Sequence, residues 1–369
     1  MRRLGPVARE VLASGAIGVF VASLLLAIGA HVIHVAPAPE HSVPGAGPSV
    51  GLRALLGAGD GQAYAAIAQD PTLARPSALA SKPEFAYRAQ RPLFGEAGWL
   101  VSLGDPDLVP FALGALDALA AGLAVIALGA LLARAGIPPR YALGVFAIPG
   151  AIGIVWGMTP ELLELAFITA GVLAWTAKPK VAFAVAAFTL AALTRESMLL
   201  VPLTLIVVAL RSSRSLVTLH RLRPLVIPFV AYAAWITVVR FRVGYWPFAA
   251  RANRLTFIPF SGLEHAIQHS SDRWTALAWI VIGLLVVASA LGWGKRDEWY
   301  AIVVSFLVLA PFLGSDVWRR PADFGRVLLP VSAYSAALVL DAWWERRHPA
   351  RPAPAARYAP PVPAASPLH

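Results

Sequence analysis

The sequence contains no cysteine, so disulfides, thiolate metal sites and thiol nucleophiles are excluded together. It is also poor in charge. Asp, Glu, Lys and Arg make up 14% of its 369 residues, against about 25% in a typical soluble domain. A soluble chain of this length needs two or three domains with charged surfaces, and 31 basic and 20 acidic side chains are too few for that. No Gly-rich phosphate loop and no Rossmann-like strand–helix alternation is present to support a nucleotide-sugar site. No internal repeat is visible. Hydrophobic residues, in contrast, reach 58%, and several apolar runs approach the roughly 20 residues that cross a bilayer core of about 30 Å. The chain reads as an all-α polytopic membrane protein.

Apolar windows set against charged interruptions predict ten crossings, at about 12–34, 108–133, 140–157, 161–177, 180–194, 197–211, 224–240, 274–293, 299–314 and 327–343. The first follows Arg2, Arg3 and Arg9 and is long for a signal peptide, so it is expected to stay as an anchor. The stretch 180–211 is interrupted by Thr194, Arg195, Glu196 and Ser197. As one helix it would rise about 45 Å, and as two it would rise about 22 Å each. Charge decides for a hairpin, because Lys178, Lys180, Arg211, Arg214, Arg221 and Arg223 then fall on one side. Counted this way, cytoplasmic segments hold 17 of the 31 basic residues with 5 acids, and external segments hold 14 of each sign. Both termini are therefore expected in the cytoplasm. Topology accounts for the net charge of +11, and no nucleic-acid partner is required.

The predicted membrane domain covers 1–345, and a Pro/Ala-rich tail at 346–369 is expected to be disordered. Three external loops stand out, at about 35–107, 241–273 and 315–326. The first opens with a Pro/Gly/Ala spacer from His34 to Gly51. Leu52, Leu55 and Leu56, then Tyr64, Ile67 and Ala68, follow at helical spacing, as in an amphipathic helix lying on the membrane surface.

Thirteen of the fourteen external basic residues are Arg, many at span ends: Arg88, Arg91, Arg195, Arg240, Arg242, Arg319, Arg320 and Arg326. Such a cluster suits a lipid-linked phosphate, since the guanidinium forks onto phosphate and keeps its charge when partly dehydrated. Taken singly, each is better explained by snorkelling or by an ion pair with a nearby acid. Asp60, between Gly59 and Gly61, has two readings: a helix cap, favoured by spacing alone, or a base that takes a proton from an attacking hydroxyl, with the glycines admitting substrate. Other signals carry less. Asp105-Pro106-Asp107 has a metal–nucleotide-sugar spacing but sits where a helix cap is simpler. His265 and His269 share a helical face without a third ligand. Asp117, inside the second span, is expected to make a polar contact between helices rather than to relay protons.

Taken in order, several short motifs resemble the GT-C class of integral-membrane glycosyltransferases, particularly bacterial mannosyltransferase-like members. They are Asp60-Gly61-x-x-Tyr64-x-x-Ile67-Ala68 after one anchoring helix and Tyr87-Arg88-x-x-Arg91-Pro92-Leu93 before the second span. Leu193-Thr194-Arg195-Glu196 at an external turn and Arg326-Val-Leu-Leu-Pro330 before the last span complete the set. The resemblance implies a metal-independent, inverting hexosyltransferase without a cofactor. Its donor would be a polyprenyl-phosphate sugar and its acceptor an envelope glycan, lipid or protein outside the cytoplasmic membrane. It makes Asp60 the candidate base, with Asp70 in reserve because relatives carry a second acid nearby. Arg88, Arg91 and Arg195, then Arg319, Arg320 and Arg326, would bind the donor phosphate. From residue type, Tyr64, Tyr245, Trp246 and Trp318 are candidates to stack on sugar faces, although aromatic residues at membrane interfaces are more often anchors, and Glu196 is a candidate contact to sugar or acceptor. The rival reading is a transporter or flippase of a lipid-linked or anionic substrate, which repeated halves and polar groups at midplane would favour.

Overall fold

The helices Pro6–Val32 and Val109–Arg134 touch where each lacks side-chain bulk. A Cβ on Gly15 would lie 2.3 Å from Ile126 Cγ1, and one on Gly122 would lie 2.4 Å from Val19 Cγ2. Small residues let helix backbones approach when both surroundings are apolar. The computed structural model describes residues 5–33, 51–57, 60–74, 81–176, 180–212, 222–249, 255–269, 273–290 and 297–349. In chain order the helices are α1 Pro6–Val32, α2 Leu52–Gly57, α3 Gly61–Gln69, α4 Lys82–Ala89, α5 Pro92–Ser102 and α6 Val109–Arg134. There follow α7 Ala151–Gly157, α8 Glu161–Thr176, α9 Val181–Thr194, α10 Leu200–Ser212, α11 Ile227–Val243 and α12 Ser261–His269. The last are α13 Arg273–Ala290, α14 Asp297–Leu309, α15 Ser315–Trp318, α16 Pro321–Val327 and α17 Leu329–Arg347. Among the described residues there is no strand, only an isolated bridge between Leu255 and Leu313. The spacer from 34 to 50 and the tail from 350 onward lie outside the described residues, and α17 continues through Arg346 and Arg347, inside the expected tail.

Each expected crossing coincides with a helix or a broken helix, and four are long and apolar enough to span a membrane: Pro6–Val32, Val109–Arg134, Arg223–Val243 and Arg273–Ala290. Two bent pairs raise the number of candidate spans to six. Helices α8, α9, α10 and α14 have 16, 14, 13 and 13 residues, short of the 18 that the other candidates reach. The expected single run at 140–157 is instead a 3-10 segment, Pro139–Ala147, followed by α7 at 75°. The corner is Ile148-Pro149-Gly150. Proline offers no N–H to continue a helix, and Gly150 sits at φ +94°, which a side chain would resist. Likewise α16 meets α17 at 70°. The helix at 180–211 breaks where its charged residues interrupt it: α9 packs on α8 and α11, while α10 packs on α14.

The helices of the segment expected to form the first external loop are covered by protein, not left free to lie on a lipid surface. Leu55 and Ile67 are fully buried, and Leu56, Tyr64 and Ala68 join them in one core with Leu26, Phe94 and Leu113. Their apolar face is covered by α1, α5 and α6 rather than by lipid. Helix α4 is held from the other side. Ser81 caps it through the Glu84 N–H, Phe85 and Ala89 pack against Val239 and Val243, and Trp235 Nε1 donates to Ala89 O at 2.8 Å. These contacts bring α3, α4 and α16 to one place.

Candidate active site

Asp60 precedes α3 without capping it, since its side chain makes no cap hydrogen bond. Instead Oδ2 receives Arg88 Nη1 at 2.8 Å and Arg326 Nη2 at 2.8 Å. The two arginines come from opposite ends of the chain, on α4 and α16. Burial works against the charge on Asp60, yet the guanidiniums of Arg326 and Arg88 override it and hold the carboxyl well below the usual carboxylate range.

Main-chain contacts set these positions. A Cβ on Gly61 would lie 2.6 Å from Gly157 O, so the start of α3 abuts the end of α7 directly. At Gly61 the close approach is made by the protein's own backbone, while Gly59 lies outside the described residues. A Cβ on Gly325 would lie 2.4 Å from Pro149 O, and one on Gly150 would lie 2.6 Å from Gly325 C. The corner before α7 therefore seats the residue next to Arg326.

Around this core the charges interlock. Arg88 Nε also donates to Glu84 Oε1 at 3.0 Å. Arg326 lies 3.6 Å from both Asp323 and Glu161. Arg195 Nη1 donates to Glu161 Oε1 at 3.0 Å and lies 4.0 Å from Glu164. Arg91 forks onto Glu196, through Nε to Oε2 at 2.7 Å and Nη2 to Oε1 at 2.5 Å, and also donates to Tyr87 Oη at 2.8 Å. Burial opposes ionisation of Glu196, but Arg91 draws its pKa down to about 2. Asp323 moves the other way, upward, because burial outweighs Arg326.

Four of the six arginines expected at a phosphate site, Arg88, Arg91, Arg195 and Arg326, thus lie in this network with Asp60 and Glu196. Arg319 does not: it faces Asp316 at 3.7 Å and His265 Nε2 at 3.3 Å, half exposed. Arg320 stands before α16 and is exposed. Asp70 ends α3 and accepts from Thr72 Oγ1 at 2.9 Å, a local bond at the opposite end of the helix from Asp60.

The aromatic expectations need correction. Tyr64 is 2% exposed with its ring edge-on to Phe94 at 5.5 Å, so it packs the core instead of offering a face to a sugar. Burial pushes its hydroxyl up to about 12. Trp318 is buried beside Phe324 at 5.7 Å and is spent in the same way. Tyr245 and Trp246 are exposed, and Trp246 stacks on Phe248 at 5.5 Å.

The minor signals resolve locally. Asp105 accepts from the Asp107 N–H at 2.9 Å and Asp107 pairs with Arg53 at 2.7 Å. His269 Nδ1 meets His265 O at 2.8 Å, and no group of metal-ligating side chains occurs among the described residues. The interhelical contact expected of Asp117 is not formed. The side chain is fully buried and neither oxygen has a hydrogen-bond partner, because no donor reaches it.

Glu84, Glu161, Glu164 and Asp323 were not expected in the site. For Glu161 and Glu164 a signal existed: two acids three residues apart open an otherwise apolar run, on one face of a helix. The chain matches no family model, no curated protein and no solved structure.

Proposed function

We propose that this protein is a membrane-embedded glycosyltransferase of the GT-C type, with ten crossings and both termini in the cytoplasm. It moves a sugar from a polyprenyl-phosphate donor to an envelope acceptor at the outer face of the cytoplasmic membrane. The observation that carries this reading is the meeting of Asp60 with Arg88 and Arg326. A helix cap would have spent the carboxylate on backbone N–H groups. Here it is directed at two guanidiniums, in a network where buried charge is concentrated.

In this mechanism Asp60 accepts the proton of the acceptor hydroxyl as its oxygen bonds to the anomeric carbon. The bond from that carbon to the phosphate oxygen breaks, and the lipid phosphate departs with the electron pair, its charge held by arginine. Phosphate is a good leaving group, so the protein contributes mainly position and electrostatics. Residues Arg91 and Arg195, committed to Glu196 and Glu161, support the site from behind.

The test is transfer of sugar from a synthetic polyprenyl-phosphate sugar by the purified full chain. Asp60→Asn should lose about 10²–10⁴-fold in turnover. Undiminished transfer would remove Asp60 from the chemistry, and an inactive wild-type chain offered a range of lipid-linked sugars and acceptors would count against the reading as a whole.

A further inference from the structure

An inverting displacement needs its base and its leaving phosphate on opposite sides of the anomeric carbon. The observed Asp60 cannot serve there. Its Oδ2 lies 2.8 Å from the guanidiniums of both Arg88 and Arg326, in the place where a phosphate oxygen would be held. We infer that the Arg88–Arg326 pair is the seat of the donor phosphate, that the Asp60 carboxylate fills it in the unliganded protein, and that an arriving phosphodiester displaces the carboxylate toward the acceptor side. This rests on the transferase reading above and adds to it a resting state in which the base is held by the groups that will bind the leaving group.

Three features support the exchange. One carboxylate oxygen satisfies two guanidiniums, whereas a phosphodiester brings two non-bridging oxygens and can give each arginine its own acceptor. Neither arginine is stranded during the swap, because Arg88 keeps Glu84 at 3.0 Å and Arg326 keeps Asp323 and Glu161 at 3.6 Å. The Asp60 side chain is 27% exposed, against 12–14% for its two partners, so it has the freer path out. Arg91 and Arg195 are poorer seats: each is more deeply buried than Arg88 and Arg326, and each is held by a carboxylate other than Asp60, Glu196 for Arg91 and Glu161 for Arg195. The exchange also changes the base. Paired with two guanidiniums, Asp60 is a weak proton acceptor, and beside a bound phosphate instead it regains basicity.

The charged and titratable groups facing Asp60 are Arg88 and Glu84 from α4, Arg326 and Asp323 from α16, Glu161 from α8 behind Arg326, and Tyr64 from α3. Displacement raises the Asp60 pKa, so ligand binding should draw in protons and tighten as pH falls.

The experiment measures binding of farnesyl methyl phosphate, a phosphodiester with one fixed negative charge, to the full chain in detergent by calorimetry. Asp60→Asn should bind it at least about tenfold more tightly than wild type, because the competing anion is gone. Arg88→Ala with Arg326→Ala should abolish binding. Between about pH 7 and pH 4.5 the wild-type affinity should rise with net proton uptake, and Asp60→Asn should flatten that profile. Equal or weaker binding by folded Asp60→Asn overturns the exchange while leaving the phosphate site in place. Should that variant not fold, a pH-independent wild-type affinity without proton uptake overturns it instead. If wild type and Asp60→Asn both fail to bind the diester, the phosphate reading of the site falls, and the exchange with it.

Discussion

Two arginines on one segment of about a dozen residues, Arg319 and Arg326, have opposite fates. Arg326 is 12% exposed and meets Asp60, Asp323 and Glu161. Seven residues earlier, Arg319 is 48% exposed and its guanidinium meets Asp316 and His265 Nε2. Residue type and neighbourhood in sequence are the same, and what separates them is the solvent each keeps. A buried guanidinium must be matched, since desolvation of an unpaired charge costs several kcal/mol. An exposed one is matched by water and gains little from a carboxylate nearby. The difference teaches that a high density of arginine in sequence does not by itself mark the candidate site. The site is the subset that the fold has dehydrated and obliged to find acids.

Substitutions can break this contrast. The largest stability loss is expected from Arg195→Ala, which leaves Glu161 and Glu164 buried with one cation fewer. Breaking such a pair from one side typically costs about 3–5 kcal/mol, and thermal unfolding in detergent should register it as a large fall in Tm. Next comes Gly325→Ala. Its Cβ would sit 2.4 Å from Pro149 O, and main chain cannot rotate aside. Overpacking of this kind costs about 1–3 kcal/mol, and diester binding should weaken in parallel as Arg326 is displaced. The smallest effect is expected for Arg319→Ala, within about 1 kcal/mol and without change in diester affinity. A loss of stability there to match Arg195→Ala would erase the distinction between exposed and buried arginines.

Much of this arrangement was legible beforehand, for reasons that differ by element. Apolar runs located the helices because periodicity and length are properties of neighbouring residues, and the break at Arg195 was visible as charge inside an apolar stretch. Asp60 and Arg326 were singled out separately, but their contact across 266 residues depends on the corner at Pro149-Gly150, whose dipeptide signals a turn but not what packs against it, and on the tight passage of Gly325. Tyr64 was misjudged because an aromatic ring looks the same in sequence whether it faces a sugar or Phe94. The amphipathic stripe of α2 and α3 was correctly apolar, yet a stripe cannot tell protein from lipid as its cover. Partner choice among four arginines and six carboxyl groups turns on differences of an ångström, which spacing does not encode.

The meeting of Gly150 with Gly325 has a mechanical consequence. Side chains can change rotamer to absorb a strain, but peptide planes in van der Waals contact cannot. Arg326 therefore inherits its place from two kinks in the polypeptide, one before α7 and one before α17, as a gear inherits its phase from the shaft that carries it. Rocking either kinked segment would withdraw the cation from the acid as a unit, so the contact of Arg326 with Asp60 is tied to the tilt of the rods beneath it.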